Sequence, residues 1–308
     1  EICYENNDKG LVSLWGKIQK LYGKEAKEHI VLVFEPTASY GERLKKFAHD
    51  HGLLAFIVNP RQSANFAKAL GLRNKNDTVD ARMLSRIGLI AKPHEIAIPH
   101  YSDALLSLQE IMGYYRFLVK QKIATTNQLE AAKARRSHGF VIERLAKEIA
   151  RLTEEIKIVM EQMHEVVTKD PELNEGYDAI TSFKGIGPVG GVVLLYHFLR
   201  YPDANRREII ALAGLDVVTK ESGSSVFRRG KISKRGSKVI RASLFMATLI
   251  AINHNHNIRQ FYERLKSNGK HSTVAQIACM RKIILITHAL FKKRERYNEA
   301  YGQELLVA

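Results

Sequence analysis

Apolar residues in the first hundred positions fall into two alternating patterns. From Leu11 to Leu21 they recur at helical intervals, and His29 to Phe34 (H-I-V-L-V-F) form a short apolar run ending at Glu35. Helical spacing returns from Glu42 to His51, and a second run, Leu53 to Val58 (L-L-A-F-I-V), is closed by Asn59-Pro60. Short continuous apolar runs bounded by polar and turn residues read as buried strands. Their alternation with amphipathic helices predicts an α/β domain with helices packed on a central sheet.

Between Ser102 and Val167 the texture changes: glycine is nearly absent, proline is absent, and apolar residues recur at helical spacing among charged ones. Leu105, Leu108, Ile111 and Met112 make one stripe, and Ile149, Leu152, Ile156 and Met160 another. Two long helices interrupted near Ser137-His138-Gly139 are expected to pair as an antiparallel hairpin or coiled coil, because two apolar stripes need covering. Lys169-Asp170-Pro171 then breaks the helix, and a second, helical domain follows. The expected fold class is α/β plus all-α, with domains at 1–98, 99–168 (the hairpin) and 169–308. No internal repeat or low-complexity tract is present.

Charge narrows the choice of partner. Among 308 residues, Lys and Arg number 48 against 32 Asp and Glu, a formal net charge of +16. Such a surplus concentrates polyanions and speeds encounter with them, so nucleic acid is the leading partner and a small-molecule enzyme is disfavoured. The two cysteines, Cys3 and Cys279, are far apart and not spaced as metal ligands, which argues for a reducing compartment and against a disulfide framework or zinc ribbon. No apolar run is read as long enough to cross a bilayer, and the polar opening residues are not a signal peptide. The expected location is the cytoplasm of a bacterium or archaeon, at the nucleoid. The abrupt opening without Met is read as the interior of a longer protein.

Three acids form one candidate constellation. Glu35 directly follows an apolar strand, and open α/β sheets place their ligands at strand ends. Asp77 and Asp80, in Asn76-Asp77-Thr78-Val79-Asp80, are three apart and share one helix face. Converging carboxylates repel, and a hard divalent cation such as Mg²⁺ or Mn²⁺ relieves the repulsion while leaving positions for phosphate oxygens. Singly, each acid has a structural reading; Asp77 in particular is a possible N-cap.

Two basic, glycine-bearing segments lie further on. Lys184-Gly185-Ile186-Gly187-Pro188 sits between apolar helical stretches, and a Gly-x-Gly turn there reads equally as a phosphate seat of the helix-hairpin-helix kind or as a tight turn between packed helices. The other runs from Ala213-Gly214-Leu215-Asp216 through Glu221-Ser222-Gly223-Ser224-Ser225 to Ser233-Lys234-Arg235-Gly236. Serines followed closely by Arg228, Arg229, Lys231, Lys234 and Arg235 could hold a phosphodiester against a hydroxyl, with guanidinium groups neutralising charge on phosphorus. By composition alone Ser-Gly-Ser-Ser reads first as a flexible loop. His254 and His256 are the nearest histidines with a route to it in space.

Taken together these stretches resemble the DEDD-type insertion-sequence transposases, also called bridge-RNA-guided recombinases. The resemblance is carried by Phe34-Glu35-Pro36-Thr37-Ala38-Ser39-Tyr40-Gly41, Val58-Asn59-Pro60-Arg61-Gln62 and Asn76-Asp77-Thr78-Val79-Asp80-Ala81. In the second half it is carried by Gly185-Ile186-Gly187-Pro188, Ala213-Gly214-Leu215, Glu221-Ser222-Gly223-Ser224-Ser225-Val226, and Ile232 to Gly236 followed by Ile240-Arg241. The set spans almost the whole chain in order.

The resemblance implies an RNase H/RuvC-like N-terminal domain (the fold of Holliday-junction resolvases), a coiled-coil hairpin used in assembly, and a helical transposase domain. It implies a serine that becomes covalently joined to DNA beside carboxylates that bind Mg²⁺ (or Mn²⁺), the two domains coming from different subunits. It further implies donor and target DNA as substrates, a structured non-coding guide RNA, and a homo-oligomer, dimer or tetramer, with no membrane. Carried over by position, Glu35, Asp77 and Asp80 match the second, third and fourth acids. Ser222 is the first choice of nucleophile, Ser225 its rival and Ser224 a lesser one. Lys184, Gly185, Gly187, Arg228, Arg229, Lys231, Lys234 and Arg235 are the expected nucleic-acid contacts.

One departure stands out: the family's first acid lies on an opening strand that would precede Asn7-Asp8-Lys9-Gly10, and Asp8 is no substitute for it. The chain is therefore expected to lack its first strand and to be impaired in activity. Two alternatives remain open on the residues alone, a metal-only nuclease resembling a junction resolvase and a non-catalytic nucleic-acid-binding assembly protein.

Overall fold

A computed structural model describes residues 4–36, 38–72, 76–92, 95–99, 101–222 and 226–299. The chain divides into two compact units, residues 1–102 and 103–308.

In the first unit, α1 (Asp8–Tyr22) and α2 (Ala26–His29) precede β1 (Val31–Phe34), α3 (Ala38–His51), β2 (Leu54–Ile57), α4 (Pro60–Ala69) and α5 (Asp77–Gly88). The strands pair in parallel, Val31 opposite Leu54 and Phe34 opposite Ile57, and an isolated antiparallel bridge joins Ala55 to Ala97. Both strands are shorter than the apolar runs suggested. His29 completes the turn of α2 instead of opening β1, while Leu53 and Val58 flank β2 yet remain fully buried.

The period-2 alternation of strands splits the side chains between two faces. Leu32, Phe34 and Ala55 pack with Leu11 of α1 and with Phe47 and Ala48 of α3. Val33, Phe56 and Val58 pack on the other side with Phe66 of α4 and with Leu84 and Ile87 of α5. The result is a layered α/β unit, as expected.

The second unit opens with α6 (Asp103–Ala134) and α7 (Gly139–Lys169). These two long helices form the expected hairpin, with Leu118 against Leu152 and Val159, flanked by Ile111, Tyr115 and Ile156. His138 caps α7 through its Nδ1, which accepts from the Phe140 amide at 3.2 Å. Asp170 then caps α8 (Pro171–Thr181), and Pro171 sits at its first position, where a missing N–H costs nothing.

There follow α9 (Pro188–Arg200), α10 (Arg206–Leu212), β3 (Val217–Ser222), β4 (Val226–Ile232), α11 (Lys238–His254), α12 (His256–Ser267) and α13 (Ser272–Lys293). The core centres on α9, where Val192 to Leu195 and Phe198 are all buried, against α8, α11 and α13. Burying each such side chain is worth about 1.5–3 kcal/mol, so α9 is the natural anchor of the bundle. Glycines let the helices approach: a Cβ on Gly191 would stand 2.8 Å from Tyr177 Cε2, and one on Gly176 3.0 Å from Phe291.

Two readings from the sequence need correcting. The second unit is not purely helical, because β3 and β4 form an antiparallel hairpin with Val217 opposite Ile232 and Ser222 opposite Val226. Charged residues at Lys220, Glu221, Arg228, Arg229 and Lys231 interrupt the apolar positions here, so no strand pattern stands out in the sequence. Further, α13 is long and apolar enough to span a bilayer by length and composition, although half of its apolar window is buried within the unit. Nine of its residues, from Ala275 to Phe291, lie in the protein interior.

Candidate functional site

The three predicted acids all belong to the first unit. Glu35 directly follows β1 and continues its alternation on the face that carries Val33. On that side Ser63 of α4, itself 2% exposed, donates its hydroxyl hydrogen to Glu35 Oε1. Ser63 also donates to the Pro60 carbonyl at 3.1 Å, so this serine fixes the carboxylate to the start of α4. The local sequence favours this: Asn59 and Gln62 make a capping box, and Pro60 is pre-set for the first helical position. Ser63 escaped notice because its partner lies 28 residues upstream.

Asp77 and Asp80 open α5. The cap itself is Asn76, whose side chain accepts from the Val79 amide at 2.8 Å, so Asp77 is the first helical residue and not the cap. Asp77 is exposed and Asp80 half-buried. Both extend, at spacings of three, four and seven, the stripe through Leu84 and Ile87 that packs on the sheet. Gly88, at the end of the helix, lies over Val33, where a Cβ would stand 2.8 Å from Val33 Cγ2. Thus α5 covers the same sheet face to which Glu35 belongs. Three carboxylates without nitrogen or sulfur suit a hard divalent cation. Among the described residues, however, no three of His, Cys, Asp and Glu converge as a ligand group.

The serine segment is mounted on a compact knot in the second unit. At its base the motif Ala213-Gly214-Leu215-Asp216, which ends α10 and leads into β3, meets Ser233-Lys234-Arg235-Gly236, which leaves β4. Gly214 has φ +69°, and a Cβ there would stand 2.6 Å from both Gly236 N and Arg241 Nη1. A Cβ on Gly236 would overlap the Leu212 carbonyl and the Gly214 amide. Only glycine fits at either place.

Hydrogen bonds close the knot. The Lys234 amide donates to Gly214 O at 3.1 Å and the Ser233 amide to Asp216 O at 2.9 Å. The Ser233 hydroxyl donates to the Asp216 carboxylate. Arg241, one turn into α11, places Nη1 on two carbonyls at once, Gly236 O at 2.7 Å and Ala213 O at 3.1 Å. Lys231, Lys234 and Arg235 are exposed around this base, with Lys234 in the left-handed region at φ 54°. Of Ser222, Arg228 and Arg229 only the backbone is described; Ser224 and Ser225 lie outside the described residues. His254 and His256 sit exposed at the junction of α11 and α12.

The Gly185 turn joins α8 to α9. Gly185, at φ +120°, would place a Cβ 2.9 Å from Ala247 O and from Ala251 Cβ, so close packing on α11 accounts for this glycine. Gly187, the N-cap of α9, faces open space. Lys184 pairs with Glu299 at 2.9 Å, both partly exposed.

Three titratable groups in the core serve packing instead. Burial, reinforced by Arg200 and His288, lowers His197 to about 4, although a hydrogen bond to the Ile209 backbone opposes it. Burial and then Lys292 lower His288 to about 4. Burial pushes the Cys279 thiol up to about 12.

Comparison with known proteins matches both halves. A sequence profile for a DEDD transposase covers residues 2–132, and one described as "Transposase IS116/IS110/IS902 family" covers residues 177–263. The pilin gene-inverting proteins of Moraxella bovis and Moraxella lacunata are each 26% identical over 301 residues, spanning 96% of this chain and 90% of theirs. DEDD transposase domains generally use divalent metal ions. One profile takes in the acids and the other the knot with its hairpin, in order and over more than two thirds of the chain. The chain therefore belongs to the DEDD-type IS116/IS110/IS902 transposase family and is a DNA transposase or recombinase.

Proposed function

We propose that this transposase breaks and rejoins DNA through a serine carried by the β3–β4 hairpin, with Ser222 as the nucleophile. The observation that carries the reading is the knot of Gly214, Gly236 and Arg241. It holds both strands of the hairpin at their base with two obligatory glycines and a charged clamp. A flexible loop needs no such mounting; a nucleophile that must meet phosphorus in line does.

In the reaction the serine hydroxyl gives up its proton and its oxygen forms a new bond to phosphorus. A deoxyribose hydroxyl departs with the electron pair of the broken P–O bond and takes up a proton. Attack by a hydroxyl from another strand reverses the step and reseals the backbone, so the phosphoester bond is conserved throughout. Exposed Lys231, Lys234 and Arg235 at the base of the hairpin, with Arg228 and Arg229 on β4, supply cations for the phosphate oxygens. Lys184, Gly185 and Gly187 are proposed as backbone contacts further along the DNA.

Glu35, Asp77 and Asp80 are the residues that would hold Mg²⁺ or Mn²⁺, in a domain of RNase H/RuvC-like kind. The chemistry such an ion supplies is neutralisation of charge at the reacting phosphate. The net charge of +16 supports a second polyanion besides DNA, a structured guide RNA that selects donor and target. Exposed Tyr114, Phe117 and Ile158 on α6 and α7 support assembly of the hairpin into a dimer or tetramer. The name of the pilin gene-inverting relatives fits a recombinase that cuts and rejoins in a defined orientation.

The test is a denaturing gel of the protein incubated with labelled substrate DNA, RNA and Mg²⁺. A protein–DNA adduct that disappears in Ser222→Ala is expected. Cleavage without any adduct points to a metal-only nuclease, and binding without chemistry to an assembly protein; either overturns the proposal.

A further inference from the structure

The helix that leaves the knot carries a second apolar face. Its inner side, with Ile240, Leu244, Ala247 and Ala251, is buried where α11 packs on α9, α12 and α13. By helical spacing Ala242, Phe245, Met246, Leu249 and Ile250 fall on the other side. There Phe245, Met246 and Ile250 are 39%, 58% and 46% exposed. A single exposed apolar residue is ordinary, but three this large, with half-buried Leu249 among them, make a continuous patch.

Charge decides what such a patch suits. From Ser222 to Tyr262 the sequence holds eight Lys and Arg and no Asp or Glu. Lys238, two turns before Phe245 on the same line of the helix, is exposed, as are Lys234 and Arg235 just ahead of α11. A second copy laid on this face by two-fold symmetry would bring the same acid-free surface and no carboxylate to meet these cations. A nucleic acid strand brings phosphates for the cations and flat rings for the apolar patch.

We propose that the exposed face of α11, centred on Phe245, is a platform on which unpaired bases of a nucleic acid stack. Bases stack on aromatic rings whatever their identity, and Phe, Met and Ile are side chains that wedge between base steps. Lys238 holds the phosphate backbone that leads to them. Along the axis Phe245 stands about 10 Å from Lys238, about three steps of a stacked strand. The helix is tied to the base of the β3–β4 hairpin. Ser237 caps it by accepting from the Ile240 amide at 3.4 Å, and Arg241 holds Gly236 O at 2.7 Å. The platform therefore starts at the mounting of the proposed serine, where strand exchange must part bases from their first partners. The inference rests on the serine reading for that placement alone.

The test measures binding of the whole chain to a single-stranded DNA oligonucleotide, a stem-loop RNA and a blunt duplex DNA over a salt series. Phe245→Ala should weaken binding of a strand that uses the platform by about fivefold to a hundredfold, with the salt slope unchanged because no charge is lost. The blunt duplex should bind as before. Lys238→Gln should instead lower the slope of log K against log salt by about 0.7 on that strand. Phe245→Tyr should keep the affinity, and Phe245→Trp should be quenched on binding, with the parent, whose one tryptophan is Trp15, as background. Thermal unfolding of Phe245→Ala should match that of the parent, since the ring faces solvent. A loss on DNA alone assigns the platform to the substrate strand, and a loss on RNA alone to the guide. Equal losses on duplex and single strands, no loss on either strand, or an unquenched Phe245→Trp overturn the proposal. A change of oligomeric state in Phe245→Ala with binding unaltered also overturns it and makes this face a protein contact. Ser222→Ala should bind every probe as the parent does, so failure of the serine chemistry and failure of the platform are read separately.

Discussion

Gly214 and Gly236, 22 residues apart, press backbone against backbone: a side chain on either would strike the amide of the other. Alanine at 214 must also hold φ +69°, which costs about 1–2 kcal/mol before any clash is counted. Gly236→Ala meets backbone atoms that cannot turn aside, and overpacking of this kind costs about 1–3 kcal/mol or more. Both variants should unfold earlier and lose strand joining. Gly187→Ala, in open space, should stay within about 1 kcal/mol of the parent. Parallel thermal melts and joining assays check this, and equal tolerance at 214, 236 and 187 would dismiss the knot.

Arg241 is a positioning residue, since among the described residues its guanidinium holds the base of the hairpin through the carbonyls of Ala213 and Gly236. Hydrogen bonds from a charged group are worth about 1.5–3 kcal/mol each. Arg241→Gln should therefore slow adduct formation by about tenfold to a hundredfold while DNA affinity stays the same. Arg241→Lys, which can still reach one carbonyl, should recover part of the rate. A loss of affinity with an unchanged rate would place Arg241 in DNA binding instead.

Gly113, within α6, has nothing within 4 Å of a built Cβ. Alanine there removes the entropic penalty of glycine inside a helix, so Gly113→Ala should stabilise the protein by up to about 1 kcal/mol. A chemical-denaturation midpoint that falls would show that something covers this face of the hairpin.

His197 and His288, each 4% exposed, are neutral in the fold and charge readily once unfolded. Their folded values of about 4 lie below the ordinary 6.5, so the unfolded chain takes up protons first as pH falls. Stability is complete above pH 6.5 and drains away between 6.5 and 4, by up to about 3 kcal/mol for one such histidine. Melting temperature against pH should show that fall, flattened in His288→Phe. A profile identical in the variant and the parent would exclude His288 as its source.

The hairpin of α6 and α7 was legible nearly to the residue, because apolar spacing sustained over some thirty positions leaves little choice of fold. The strands were legible as runs but not at their ends, since burial at Leu53 and Val58 continues past the hydrogen-bonded ladder. The β3–β4 hairpin was missed because charged residues interrupt its alternation. Residue types and spacing raised Glu35, Asp77 and Asp80 as a set, whereas the serine segment, which composition reads first as a flexible loop, was singled out by the family resemblance. Ser63 beside Glu35, and the meeting of Gly214, Gly236 and Arg241, depend on chain reversals that no local pattern announces. Gly185 could have been glycine for a ligand or for packing; only the helix lying against it, α11, shows that packing demands it.

The most direct measurement is to trap the protein–DNA adduct, digest it with trypsin and locate the nucleotide by mass spectrometry. Cleavage after Lys220 and Arg228 releases the peptide Glu221–Arg228, which holds Ser222, Ser224 and Ser225. The account predicts the nucleotide on this peptide at Ser222, lost in Ser222→Ala and in Asp77→Ala but kept in Ser225→Ala. A nucleotide on Ser225, on a peptide outside the hairpin, or on no peptide while DNA is still cut would contradict it.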